Sequence, residues 1–494
     1  MLAAVIAEKT AGEAIEAAKR CKKADLIELR LDYARDLNRA KLKKLIEKCN
    51  KPVIATNRKR AEGGFFRGSE EERVAILKAA IESGADYVDI EYSSESSAKT
   101  LIKNKKNAEI IVSCHNFKET PDNLKNIYDK IKKLNPGMIK IAAQANSVVD
   151  NFKIFDLIKA ANKEKRKIAA FCIGPYGQFS RILSIILGSQ ITYASVEEGK
   201  ESATGQLTLN ELVNYCRIRR LNKNTKIAGL IGNPVGHSWS HIMHNAGFEK
   251  LGINAVYLKF QVDKLKEFIY YFKQLNVLGF SVTIPHKIEV MKYLDEIDKK
   301  AKEIGAVNTI LIKNKKLIGY NTDCDGAMRA LKEKINLKNK DAVLLGAGGS
   351  TRAIAYGLGE EGANVTILSR TVGKAKSLAD YFGCGYGPLS KLKDMDYDIL
   401  INTTSVGMHP NADESIIPSN LIKKNSVVFD IVFNPFKTKL LKDAEKKNCR
   451  IIPGFEMLIY GAMLQFRLWT NKNAPEKAMR RKVLDYLKNA GNKN

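Results

Sequence analysis

The sequence predicts an α/β protein in two halves: a closed (β/α)8 barrel of the TIM type, then a two-lobed α/β half containing a Rossmann unit. Three observations carry this. Eight strand-like runs alternate with helix-patterned segments as far as residue 221. A short polar stretch, "NKNT" (222–225), then reads as a linker. Further on, "DAVLLGAGGSTRAIAYGLGEEGANVTILSR" (341–370) reads as strand, glycine turn, helix and second strand.

The strand-like runs of the first half are "LAAVIA" (2–7), "DLIELRL" (25–31), "PVIATN" (52–57) and "DYVDIEY" (86–92). They continue with "EIIVSC" (109–114), "MIKIAA" (138–143), "KIAAFCI" (167–173) and "ITYASV" (191–196). Lysine- and alanine-rich segments of helical period separate them, such as "EERVAILKAAIESG" (71–84). An open doubly wound sheet is the competing arrangement, but eight regular units favour closure. The stretch 206–221, "QLTLNELVNYCRIRRL", is expected to be the helix that completes the barrel, and "KIAGLIG" (226–232) opens the second half as a strand.

Composition bounds the function. The chain has 494 residues, 45% hydrophobic and 28% charged, ordinary for globular protein and long enough for several domains. No apolar run approaches the roughly 18–20 residues that cross a bilayer, and the start lacks a signal-peptide pattern. Eight scattered cysteines without a CxxC pair fit a reducing, cytoplasmic setting. The net charge of +28 raises nucleic-acid binding. The lysines, however, are spread over nearly every helix, with no arginine block and no interleaved aromatics, so no nucleic-acid or membrane partner is expected. A positive surface instead suits small anionic metabolites. Oligomeric state is left open.

Barrel chemistry belongs at the C-terminal ends of the strands. Glu28, Arg30 and Asp32 fall there, as do Arg58, Glu62 and His115, then Arg181, Ser202 and Gln206. Lys140 is the misfit inside an otherwise apolar strand. An edge lysine snorkelling to water would be the bland account. A desolvated amine, its pKa lowered by burial, would be a nucleophile able to form a Schiff base, and the polar ring around it favours that account.

In the second half the turn Gly346-Ala347-Gly348-Gly349 precedes a helix, as a dinucleotide site requires. At the end of the next strand stand Ser369, Arg370, Thr371 and then Lys374, where NAD sites place an acid. Two cations and two hydroxyls suit a 2′-phosphate, so NADP(H) is the expected cofactor. His237, His241 and His244 have spacing that invites a metal, but a serine-containing motif overlaps them and no metal is expected.

The stretches "ELRLD", "NRKRAEGG", "SCHNFKETP", "MIKIA", "GQFSR" and "SATGQ" resemble type I 3-dehydroquinate dehydratases. The stretches "IGNPVGHSWSHIMHNAGF", "GFSVTIPHK", "IGAVNT" and "GYNTDCDG" resemble shikimate dehydrogenases, and the tandem resembles the bifunctional enzymes that join the two. The resemblance implies a dehydratase barrel over 1–221 and a substrate lobe over 226–325. It further implies a Rossmann NADP lobe over 326–452 and C-terminal helices over 453–494 that return to the substrate lobe. It makes Lys140 the Schiff-base lysine and His115, titrating near neutrality, the general acid/base. Glu28, Arg30, Arg58, Arg181, Ser202 and Gln206 would hold dehydroquinate. In the second half it makes Lys287 and Asp323 the catalytic pair. Ser238, Ser240, Thr283, Asn308 and Thr322 would be substrate groups, with Gly454 and Met457 beside the nicotinamide.

Three departures stand out. Ile173 replaces a usual Met, Phe433 a usual Tyr, and Gly461 a usual Gln, with Gln465 one helical turn on as a partial substitute. The last two leave open a quinate-directed or impaired redox half. A non-catalytic metabolite sensor is a further alternative, but it would be expected to lose Lys140, His115, Lys287 and Asp323, all of which are present.

Overall fold

The structure, a computed structural model, describes residues 1–491. Its contacts divide into two compact units, one formed by 1–226 with 254–272 and the other by 227–253 with 273–494.

In the first unit all eight expected strands form: β1 (Leu2–Ile6), β2 (Leu26–Arg30), β3 (Val53–Thr56), β4 (Tyr87–Glu91), β5 (Glu109–Asn116), β6 (Met138–Gln144), β7 (Ile168–Ile173) and β8 (Thr192–Ser195). They make a near-closed parallel sheet in the order β7-β6-β5-β4-β3-β2-β1-β8. Between them run α1 (Ala11–Arg20), α2 (Arg39–Lys48), α3 (Glu70–Glu82), α4 (Glu95–Lys103), α5 (Leu124–Lys133), α6 (Asp150–Lys163) and α7 (Ser180–Ile186). Helix starts follow local chemistry. Thr10 with Glu13, and Ser69 with Glu72, form capping boxes that satisfy the first free N–H groups of α1 and α3.

Because strand side chains alternate, every strand of a closed barrel has two dry faces. On β6, Met138 and Ala142 point inward and join a core with Ala3, Leu26, Ile54, Ile111, Phe171 and Tyr193. Lys140 lies between them on that same inner face. The apolar run of β6 therefore reflects burial on both sides, and the lysine occupies the upper part of the barrel interior.

The expected helix over 206–221 does not form. The segment is a bridge of Thr208 to Ser195, a single π-type turn at Glu211–Tyr215 and a 3-10 turn at Ile218–Arg220. Arg217 adopts a left-handed backbone (φ 53°), which stops helical propagation. The strand β9 (Lys226–Gly232) follows. The strand β10 (Ala255–Gln261) and helices α8 (Ser240–Lys250) and α9 (Leu265–Phe272) come next. Of these, β10 and α9 group with the first unit. There Tyr271 stacks on Phe152 at 4.0 Å between ring centroids, and Phe260 meets Phe179 at 4.8 Å.

The second unit holds β11 (Val277–Val282), β12 (Glu296–Ile297), β13 (Thr309–Lys313) and β14 (Lys316–Tyr320), with α10 (Lys299–Ile304) and α11 (Thr322–Lys332). Its mixed sheet runs β9-β11-β13-β14-β12. A parallel sheet follows, made of β15 (Asp341–Leu345), β16 (Asn364–Leu368), β17 (Gly385–Gly387), β18 (Ile399–Asn402), β19 (Val427–Asp430) and β20 (Arg450–Pro453). Its order β17-β16-β15-β18-β19-β20 is the Rossmann order 3-2-1-4-5-6. Helices α12 (Gly349–Glu360), α13 (Val372–Phe382) and α14 (Lys439–Glu445) flank it. The chain then enters α15 (Gly454–Thr470) and α16 (Glu476–Gly491); α15 packs on α8 and α11, and α16 on α8. No helix among the described residues is long and apolar enough to cross a membrane.

Candidate active sites

The barrel mouth opens on a cavity lined by Glu28, Arg30, Arg58, Glu62, His115, Lys140, Arg181, Tyr193, Ser202 and Gln206. Every barrel residue expected to hold substrate thus faces one space. Lys140 is 4% exposed, and its Nζ donates to Glu28 Oε1 and to Asp89 Oδ2, each at 2.9 Å.

The lowered lysine pKa expected from burial is not found. Burial does favour the neutral amine, but the Asp89 and Glu28 carboxylates outweigh it and hold Nζ as an ammonium well above the ordinary lysine range. The carboxylates are correspondingly held ionised. For each of them burial opposes the charge but is outweighed, for Asp89 by Arg58 and Lys140, for Glu28 chiefly by Lys140.

His115 also departs from expectation. Burial, with the Arg58 cation, pushes its imidazole down to about 4, and contact with Glu62 only partly resists. Nδ1 lies 3.4 Å from Glu62 Oε2, which also accepts the His115 backbone N–H at 3.1 Å. The ring is therefore neutral at physiological pH and competent as a base.

The three arginines differ. Arg30 is forked onto Asp32 at 2.9 and 2.7 Å. Arg58 is spent on Asp89, Glu91 and Ser113 at 2.8–3.0 Å. Arg181, 2% exposed, has no partner for Nε or Nη2 among the described residues; burial pulls it down to about 10, and it lies over the Phe171 ring at 4.6 Å. A buried fork with free donors is a site for a planar anion such as a carboxylate. Ser202 and Gln206 meet each other, the hydroxyl donating to Gln206 Oε1 at 3.1 Å.

Sequence reasoning missed Asp89, Glu91 and Ser113. The signal was present in "DYVDIEY", where two carboxylates sit two residues apart inside a buried strand and so share a face.

In the second unit a cleft is lined by Ser238, Ser240, Thr283, Lys287, Asn308, Asp323, Phe433, Gly454, Met457, Gly461 and Gln465. Lys287 Nζ donates to Asp323 Oδ2 at 2.6 Å and lies 3.4 Å from Ser350 Oγ at the start of α12. The Ser238 and Ser240 hydroxyls meet at 3.0 Å. Asn308 donates to Thr322 Oγ1 at 3.1 Å and accepts its backbone N–H at 2.7 Å, which fixes the start of the helix bearing Asp323. Gln465 faces the cleft, but its amide is engaged by Ser281 at 2.8 Å and Thr309 at 3.0 Å. Phe433 packs edge-on against Trp239 at 5.1 Å.

The glycine turn fits a dinucleotide diphosphate. Gly346 has φ 122°, and a Cβ there would lie 2.7 Å from Thr403 Oγ1 and from Thr404 Cγ2. A Cβ on Gly348 would meet nothing, leaving the backbone open at the N-terminus of α12. At Gly454 a Cβ would collide with the Ile431 carbonyl. Ser369 is buried and its Oγ accepts the Thr371 N–H at 3.2 Å, whereas Arg370, Thr371 and Lys374 are exposed. Among the described residues no group of three His, Cys, Asp or Glu side chains is set to hold a metal ion.

Four family models match successive stretches of the chain. Residues 2–223 match the type I 3-dehydroquinase model, and 230–310 the shikimate dehydrogenase substrate binding domain. Residues 328–434 match shikimate / quinate 5-dehydrogenase, and 454–484 the shikimate 5′-dehydrogenase C-terminal domain. A relative from Arabidopsis thaliana, described as a chloroplastic bifunctional 3-dehydroquinate dehydratase/shikimate dehydrogenase, is 37% identical over 92% of this chain and 79% of its own length. The chain belongs to the bifunctional 3-dehydroquinate dehydratase/shikimate dehydrogenase family. Its second half is also similar to the NADP(+) shikimate dehydrogenase of Methanocaldococcus jannaschii, 46% identical over 54% of this chain and 99% of that protein. A crystal structure of a shikimate dehydrogenase in complex with NADP+ superposes with TM-score 0.52 at 46% identity, covering 54% of this chain and 96% of that one.

Proposed function

We propose that the chain catalyses two consecutive steps. The barrel dehydrates 3-dehydroquinate to 3-dehydroshikimate, and the second unit reduces that ketone to shikimate with NADPH. The observation that carries the reading is Lys140, a buried amine in one cavity with a neutral histidine and an arginine whose donors are free.

In the barrel, Arg181 takes the substrate carboxylate, while Glu28, Arg30, Arg58, Ser202 and Gln206 surround the ring hydroxyls. As substrate enters, the Lys140 ammonium gives a proton to water, and the amine attacks the ketone, whose oxygen leaves as water; the iminium so formed withdraws electrons from the adjacent carbon. His115, held by Glu62, removes the proton from that carbon and then protonates the departing hydroxyl, which leaves as water.

In the second unit, Ser238 and Ser240 hold the carboxylate, and Thr283 and Asn308 line the ring; Thr322, expected as a substrate group, lies outside the cleft with its hydroxyl engaged by Asn308. Bound NADPH supplies the hydride to the ketone carbon. The Lys287 ammonium stabilises the charge developing on the oxygen and delivers its proton there, with Asp323 fixing the lysine. The turn Gly346–Gly349 would hold the diphosphate, Ser369, Arg370, Thr371 and Lys374 the 2′-phosphate end, and Gly454 and Met457 the nicotinamide side. The proposed division is 1–221, 226–325, 326–452 and 453–494. Eight free thiols support a reducing, cytoplasmic setting, and the partners are small anions.

Borohydride reduction with 3-dehydroquinate followed by peptide mapping tests the first half; an adduct on any residue but Lys140 overturns it. For the second half, turnover of shikimate and quinate with NADP⁺ and NAD⁺ is compared. Preference for NADP⁺ and shikimate is expected, and a clear NAD⁺ preference refutes the role of Arg370.

A further inference from the structure

Tyr193 is a cavity residue that neither the expected site nor the mechanism above uses. It lies on β8 opposite Ala3 of β1, and its ring meets Phe171 at 5.8 Å. The ammonium of Lys140 is 4.0 Å from its ring centroid. The residue is 3% exposed, and the Lys140 ammonium lies close enough to donate to its oxygen, yet among the described residues no acceptor meets its O–H. A buried phenol normally finds a partner, because leaving its O–H unsatisfied away from water is costly. In a substrate cavity the missing partner is most simply an oxygen of the ligand.

The chemistry beside it lacks one function. Glu28 and Asp89 are held ionised and have no proton to give. His115 is tied to Glu62 and is needed at carbon. Burial raises the Tyr193 phenol, with Glu28 and Asp89 adding to it against Lys140, so the hydroxyl is neutral and can both donate and accept.

We propose that the Tyr193 hydroxyl is a further catalytic group of the barrel site, relaying a proton from the nitrogen of Lys140 to the carbonyl oxygen of the substrate as the two join. The proposal rests on Lys140 being the Schiff-base amine. The nitrogen lone pair forms the C–N bond and the carbonyl π pair moves onto oxygen. The phenol gives its proton to that oxygen and takes one from nitrogen, so a neutral carbinolamine forms and the tyrosine ends unchanged.

The test is Tyr193→Phe, which keeps the ring, its packing and its contact with the ammonium. Read-outs are the single-turnover rate of the borohydride-trapped adduct on Lys140, kcat and KM. General acid–base groups typically contribute about 10²-fold or more, so trapping and kcat should fall by about that factor while KM stays within about threefold. Unchanged dehydrogenase turnover and an undiminished Tm check the fold. A 3-fluorotyrosine in place of Tyr193 retains a hydroxyl and should retain most of the rate. A wild-type trapping rate in Tyr193→Phe overturns the proposal, as does a rise in KM alone. If the unaltered enzyme forms no adduct on Lys140, the reading of the barrel fails first, and that result is distinct from either.

Discussion

At Lys140 two opposing effects meet. Desolvation favours the free amine, and two carboxylates at 2.9 Å favour the ammonium; the carboxylates win because they are themselves buried and poorly screened. The resting barrel therefore stores the lysine as an ion, and nucleophilicity arises only when substrate enters. Replacing it has two consequences. Lys140→Ala should abolish borohydride trapping and dehydration. It should also destabilise the barrel by about 3 kcal/mol, because Glu28 loses its buried cation while Asp89 keeps only Arg58. Denaturant unfolding followed in the barrel reads the second effect, and a variant as stable as the parent contradicts this account of the triad.

The strand–turn–helix from β15 to α12 shows how an element positions chemistry. Parallel pairing of Leu345 with Asn402 brings the glycine turn against Thr403 and Thr404 at the edge of β18. Only glycine fits at Gly346, through both its positive φ and the close approach of those side chains. Gly346→Ala should weaken NADP⁺ binding by at least about tenfold, since a shift of 1.4 kcal/mol already gives that factor. Dehydratase turnover should not change. Fluorescence titration with NADP⁺ checks the first statement and a barrel assay the second. The segment 206–221 is the contrary case. Its apolar spacing read as helix, but a left-handed Arg217 and the tie of Thr208 to β8 replaced one long helix by short turns. Local period carries no information about such long-range ties.

The molecule joins two units, each with an enclosed histidine that burial keeps neutral. Burial is the leading cause in each, taking His115 to about 4 in the first unit and His244, packed near Phe466 and Trp469, to about 3 in the second. Between those values and the unfolded pKa near 6.5, the unfolded chain binds more protons than the folded one. These groups therefore add stability above about pH 6.5, and it is lost as pH falls towards 4 in the first unit and towards 3 in the second. Denaturant midpoints measured from pH 7 down to 4 should decline in the first unit, followed by its own activity; in the second, Asp430, which burial raises to about 6, takes up a proton in the folded state over the same range and offsets His244. A flat profile in the first unit argues against burial of a neutral ring.

Short apolar runs separated by helix-patterned segments, and a glycine turn between two strands, all local properties, were enough to determine eight barrel strands and the Rossmann unit. They could not determine protonation or pairing. Lys140 is charged because of Asp89 and Glu28, 51 and 112 residues away, and Arg181 is free because Asp32, Asp89 and Glu91 occupy the other two arginines. Those facts belong to the closed barrel alone, since coulombic energy depends on distances that exist only once distant strands stand side by side.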